Sequence, residues 1–147
     1  MDSLMFDFDK WAMNNIVIGK PLLDGNTLKA LDDRELGYAA NEKDGYVTNL
    51  FFCLNSNYRG YKQFKGYFRK NKKKFELHSF TKQEDILKLF GNPVTKWDDG
   101  SEINIQFVER GCRIEFSWGL RHAGIELDYM IVELEKEKRG QDEPPLV

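Results

Sequence analysis

Histidine and cysteine are scarce in this chain, and each shortage removes a kind of chemistry. The two histidines, His78 and His122, have no second His or Cys at ligand spacing, so no structural zinc site is written in the sequence. The two cysteines, Cys53 and Cys112, make no CxxC pair and fall inside strand-like stretches. They read as buried thiols in a reducing cytosol. No apolar run approaches the roughly 18 residues of a membrane span. The first residues, Met1 to Asp9, are acidic where a secretory leader would be basic. A Walker loop, GxGxxG, GxSxG and HExxH are all missing. The expectation is a soluble, cytoplasmic chain with no cofactor, no metal and no catalytic residue.

What remains is apolar and aromatic enough to fold. At 147 residues, 41% hydrophobic and 14% aromatic, the chain suits one domain with a core of its own. A net charge of −2 does not mark a dedicated nucleic-acid binder. The domain is expected over residues 1–134, with a charged, frayed tail over 135–147 that contains Pro144 and Pro145.

The most legible stretch runs from Thr81 to Trp118. Thr81 and Glu84 have the spacing of a capping box, Ile86, Leu87, Leu89 and Phe90 supply an apolar face, and Gly91 and Pro93 stop the helix. Asp99-Gly100 then opens a pair of alternating strands. Ile103, Ile105 and Phe107 point one way, and Cys112, Ile114, Phe116 and Trp118 continue the pattern beyond a three-residue loop, Glu109-Arg110-Gly111. Ile125, Leu127, Tyr129 and Ile131 alternate in a last strand. Further strands are expected over 16–18, 46–54, 64–69 and 75–77. Residues 3–13 fit a short helix, and Phe6 and Phe8 alternating with aspartates equally permit a strand. A helix capped at Asp24, Asn26 or Thr27 is expected to run to about Leu36.

A weak echo links the two halves. Thr27 and Thr81, Gly37 and Gly91, and Asp44-Gly45 and Asp99-Gly100 lie 54, 54 and 55 residues apart. Caps and turns draw on few residue types, so such spacings also arise by chance. As a duplication, it predicts a repeated strand–helix–strands unit. The expected fold is α+β: a mostly antiparallel sheet with two helices packed on one face.

Residues 58–74 carry eight cations and no acid, interleaved with Tyr58, Tyr61, Phe64, Tyr67 and Phe68. Such a stretch can dock on an acidic protein surface, bind single-stranded nucleic acid by stacking and phosphate neutralisation, or simply guard a sheet edge with lysines. His122, in the Gly119–Gly124 loop near Arg121 and Asp128, raises a small enzyme or ligand-binding site as a further alternative; the plainer reading is a surface turn. Asp98 and Asp99 fall short of a calcium loop and read as turn chemistry.

The run Lys88-Leu89-Phe90-Gly91-Asn92-Pro93, with Trp97, Asp99-Gly100 and the hairpin over 103–118, resembles the helix, Gly-x-Pro and hairpin unit of small bacterial immunity proteins. These accompany polymorphic or contact-dependent toxins. The run is also similar to the repeated unit of proteinaceous β-lactamase inhibitors, and Phe64-x-Gly66 is similar to a feature of some immunity families. The resemblance implies a tight, stoichiometric protein partner, a cognate toxin, and no catalysis. The chain departs from the strongly acidic inhibitors of nucleases, which leaves the toxin class open. Tyr58, Arg59, Tyr61, Arg69, Trp97 and Asp99 are the expected binding residues, acting by occlusion through aromatic and arginine anchors.

Overall fold

The computed structural model describes residues 4–21, 32–56 and 58–135. Two sheets form the frame. The larger joins seven strands in the order β4-β5-β6-β12-β11-β10-β9, all neighbours antiparallel. These are β4 (Asp32–Asp33), β5 (Tyr38–Lys43), β6 (Tyr46–Cys53), β9 (Thr95–Asp98), β10 (Glu102–Glu109), β11 (Cys112–Arg121) and β12 (Gly124–Leu134). The smaller sheet has the order β3-β2-β1-β7-β8. It is built from β1 (Met5–Asp7), β2 (Ala12–Met13), β3 (Ile16–Val17), β7 (Tyr67–Lys70) and β8 (Lys73–Phe75). Here β1 runs parallel to β7. One helix, α1 (Gln83–Phe90), is present among the described residues, and no helix there is long and apolar enough to cross a membrane.

The fold is therefore mostly β, and the expectation of two helices on one sheet is overturned. Residues 32–36, expected to end the first helix, form β4 and a turn. The rest of that expected helix, 22–31, lies outside the described residues, as does the tail over 136–147. Tyr38 to Ala40 is strand because it pairs with Leu50 to Phe52 of β6, a tertiary pairing that local propensity does not reveal. Residues 5–7 are likewise strand, with Phe6 and Phe8 both fully buried. The echo fails physically at Gly37, which follows a turn after β4, whereas Gly91 follows a helix.

Hairpin chemistry explains several connections. Asp44-Gly45, Asn71-Lys72 and Arg110-Gly111 are each two-residue loops with both φ values positive, as the tightest hairpin turns require. The expected three-residue loop at Arg110 is thus one residue shorter. Lys72 tolerates its unusual backbone with help from Asp9, whose carboxylate accepts the Asn71 and Lys72 amides at 2.9 and 3.1 Å. The Asn71 bond is the main reason that this carboxyl is held below its ordinary range.

The core lies between the sheets. Ile105, Phe107, Ile114, Phe116, Trp118, Leu127, Met130, Val132, Leu50 and Phe52 face inward from the large sheet, and Phe6, Phe8, Met13 and Phe68 meet them from the small one. Phe8 sits among Phe6, Trp11, Phe68, Phe75 and Phe90 at 4.9–6.1 Å between ring centroids. Helix α1 closes the gap left by the small sheet, placing Phe90 on Phe107 and Phe116 and burying Ile86 completely. Its start differs by one residue from expectation. Lys82 precedes the first turn and its amide donates to Asp85 Oδ2 at 3.2 Å. Thr81 instead accepts the His78 amide on Oγ1 and the Trp118 indole N–H on its carbonyl, so it ties the helix to β11.

Candidate functional site

Pairing register decides which side chains share the open face of the large sheet. Residues directly opposite in an antiparallel pair project to the same side. Trp97 pairs with Asn104, Asn104 with Ser117, and Ser117 with Tyr129. This row faces away from the core. A second row holds Thr95, Gln106, Glu115, Ile131, Phe51 and Ala39.

A bulge sets the position of Tyr129. Ser117 pairs with Tyr129 but Trp118 pairs with Leu127, so Asp128 is the extra residue in β12. Leu127, Met130 and Val132 therefore face the core, while Tyr129 and Ile131 face outward and Ile125 is half exposed. The simple alternation expected for this strand is corrected by that one residue.

After β6 the chain loops over this face before Phe64 returns to the core. The loop is pinned from below: the Phe64 amide donates to the Cys53 carbonyl and the Lys62 amide to that of Arg34. The Cys53 thiol donates to the Asn55 carbonyl at 2.9 Å, and burial pushes its pKa up. Tyr58 stacks on Tyr129, the Arg59 guanidinium lies 5.2 Å from the Tyr58 ring centre and 5.8 Å from that of Tyr129, and Tyr61 packs on Phe51. Arg59 holds φ near 55° and Gly60 near 82°; the pair turns the backbone so that both tyrosines reach the sheet. Arg34 covers the Tyr61 ring at 4.7 Å, and the Tyr61 hydroxyl donates to Asp32 at 2.8 Å.

Around these rings runs a polar network. Asn104 donates to Glu115, Gln106 donates to Asn104, and Arg113 donates to Gln106 and Glu135, all at 2.7–2.9 Å. The Ser117 hydroxyl donates to Glu102. Asp128, nearly buried, accepts from Asn55 and Arg121 at 3.0 Å. The Tyr129 hydroxyl lies 3.4 Å from Glu115. Burial, and then the Glu115 charge, push its pKa up to about 12, so at neutral pH it is a neutral donor. Beside the cluster is a shallow groove of about 330 Å³ bordered by Phe51, Arg59, Tyr61, Ile131 and Glu133. Networked carboxylates and stacked rings are thus held in fixed positions on the open face.

Four of the six expected binding residues share this face. Tyr58, Arg59 and Tyr61 are adjacent, and Trp97 is three strands away from Tyr129, roughly 14 Å. Arg69 is not among them: it lies on β7 of the other sheet, 4.0 Å from Asp7. Asp99 is a turn residue. It accepts the Ser101 and Glu102 amides at 2.9 Å, which hold its carboxyl below the ordinary range. The basic stretch is thereby split. Its first residues join the open face, while Lys73 and Lys74 stand exposed on β8, an edge of the small sheet, where lysines guard against pairing. Lys70 pairs with Glu109 at 3.0 Å. His122 is exposed in the turn after β11, and its neighbour Arg121 is committed to Asp128.

Asn55 is not among the expected site residues, Tyr129 is expected only as part of the last strand, and Arg121 and Asp128 are expected beside His122 rather than under this cluster. Asn55 and Asp128 are 73 residues apart, and only the bulge brings Tyr129 outward. Comparison with protein-family models, with curated proteins and with solved structures returns no match.

Proposed function

We propose that the chain is an immunity-type inhibitor that binds a cognate protein toxin in the cytoplasm and neutralises it by occlusion, using the open face of the large sheet. The observation that carries this reading is the Tyr58–Arg59–Tyr129 stack. Aromatic rings and an arginine, held in place by their own scaffold, are the composition from which protein interfaces draw most of their affinity. Holding them in place beforehand lowers the ordering cost of association. Trp97, 40% exposed on the same face, supplies a second anchor, and the networked polar groups between them resemble the satisfied surround of such anchors.

The split of residues 58–74 between two sheets favours this reading over single-strand nucleic-acid binding, because no continuous basic, aromatic track remains. The test is co-expression with the product of the neighbouring gene. A complex that survives gel filtration and protects cells from that product supports the proposal, as does loss of protection in Tyr58→Ala and Arg59→Glu variants that melt normally. Absence of any complex, or tight and salt-sensitive binding to single-stranded nucleic acid, counts against it.

A further inference from the structure

The two edges of the large sheet are unequal. At one, β4 is only two residues long. At the other, β9 is a four-residue strand exposed along its whole length, with β10 on one side and no strand among the described residues on the other. The Asp99 amide donates to the Glu102 carbonyl across the β9–β10 hairpin. Backbone groups alternate along a strand, so Trp97 and Thr95 turn theirs towards β10, while Lys96 and Asp98 turn theirs outward. That outward row is a template for another strand.

The side chains of β9 say which strand fits. A two-fold axis normal to the sheet keeps each side chain on its own face, so two copies of β9 can pair only in registers that match faces. Four such registers centre on this strand, and the one that sets Thr95 opposite Thr95 pairs Lys96 with Val94 and leaves the charges unmatched; the other three differ in charge. One sets Lys96 opposite Lys96 of a second copy, and another sets Asp98 opposite Asp98. The third sets Trp97 opposite Trp97 and Lys96 opposite Asp98, twice. Only the third is complementary in charge, and it adds an aromatic pair on the open face. Lys96 has no ion-pair partner among the described residues. Asp98 uses Oδ1 for the Gly100 amide at 2.9 Å, which leaves the second oxygen for a lysine. A lysine on an edge ordinarily prevents pairing; here the same strand carries its answer two residues on.

We propose that β9 is a homodimerisation edge. Two copies pair it antiparallel about Trp97, with Lys96 and Asp98 exchanged across the axis, and the two large sheets become one continuous sheet. Its open face then presents two Tyr58–Arg59–Tyr129 clusters on the same side. An edge of four residues makes a small interface of the kind seen in weak, transient contacts, so the dimer should form only at high concentration. This goes beyond toxin binding and does not depend on it.

The experiment uses the full chain and needs no partner. Sedimentation is measured across concentration for wild type, Lys96→Asp, Asp98→Lys and the double exchange. Each single reversal places like charges opposite one another twice. It should weaken the dimer about tenfold or more, and the double exchange should restore it to within about threefold. Register is read by oxidising Lys96→Cys, Trp97→Cys and Asp98→Cys variants separately. The native Cys53 and Cys112 are buried and stay out of the reaction. Directly opposite residues that exchange no backbone bonds lie about 4.5 Å apart, within disulfide range, so only Trp97→Cys should crosslink. A monomer at every concentration up to about 1 mM, single reversals without effect, a double exchange that does not recover, or crosslinking at position 96 or 98 in place of 97 overturns the proposal.

Discussion

The Tyr58 ring lies on the Tyr129 ring, with centroids 5.7 Å apart and planes 30° apart. The contact joins a loop to the bulged strand β12, with one ring at the surface and the other seated in the fold. Tyr58 is partly exposed, whereas Tyr129 is buried. Tyr129→Ala should cost about 3 kcal/mol, by analogy with large aromatic truncations in cores. Tyr58→Ala should cost about 1 kcal/mol or less and still weaken partner binding at least tenfold. Urea denaturation and partner titration on the same two variants check this. Equal stability losses would show that the stack is a structural contact alone.

Alkaline pH should destabilise the protein, with Cys112 and Tyr129 the largest contributors among several tyrosines and cysteines whose values burial raises. Burial pushes Cys112 up to about 11 and Tyr129 up to about 12. Their unfolded values are near 9.0 and 10.0. Both folded values are raised, so their stability is fully present below the unfolded values and is lost as pH rises through the folded ones. Stability should therefore fall from about pH 9. Tyr129→Phe should flatten the part of that fall between about pH 10 and 12, and Cys112→Ala the part between about 9 and 11. Denaturation midpoints measured from pH 8 upward test it, and unchanged slopes in both variants would refute the assignment.

The helix start gives a sharper test than the sequence alone allowed. Asp85 accepts the Lys82 amide, so Asp85→Ala should cost about 0.5–1 kcal/mol by loss of that bond and of favourable charge at the helix N-terminus. Thr81→Ala removes the acceptor for the His78 amide and should cost about 0.5–1.5 kcal/mol, through the turn rather than through the helix. Thermal melts combined with hydrogen exchange separate the two: Asp85→Ala should speed exchange in α1, and Thr81→Ala in the turn before it.

The hairpins, α1 and the inward faces of β10 and β11 were legible because local chemistry dictates them. Positive φ at Asp44-Gly45 and Arg110-Gly111, the Gly91 stop, and the alternation from Ile103 to Trp118 are each written within a few residues. Strands β4, β5 and β9 were not: each pairs with the strand that follows it, but Asp32-Asp33, Asn41 to Lys43 and Thr95 to Asp98 carry the polarity of loops. Asp98-Asp99-Gly100 was read as turn alone because nothing in Thr95 to Asp98 announces an edge strand whose four residues are all exposed. The site was half legible. Tyr58, Arg59 and Tyr61 stood out by composition, but their platform, Tyr129, depends on a bulge at Asp128 that no local pattern marks. Arg69 is close to Tyr58 and Arg59 in sequence only, and the fold sends it to the other sheet.

Two glycines with the same backbone angle separate conformational strain from close approach. Gly37 and Gly91 both hold φ near 86°. A methyl group on Gly91 would meet nothing within 4 Å, so Gly91→Ala should cost only the backbone penalty of a glycine-only conformation (φ 86°, ψ −141°), about 1–3 kcal/mol. A methyl group on Gly37 would sit 2.4 Å from the Lys62 carbonyl oxygen and 2.5 Å from the Phe64 nitrogen, both backbone atoms that cannot rotate away. Segment 62–64 would have to lift, and with it the bonds from Lys62 to Arg34 and from Phe64 to Cys53 that hold the loop down. Gly37→Ala should therefore add about 1–3 kcal/mol of overpacking to the penalty of its own positive φ. It should also unseat Tyr58 and Tyr61 and so weaken partner binding, which Gly91→Ala leaves intact. Denaturation of both variants, together with exchange rates of the Tyr61 and Phe64 amides, measures the difference. Equal costs, or unchanged exchange in Gly37→Ala, would mean that the loop is not held by this approach of two backbones.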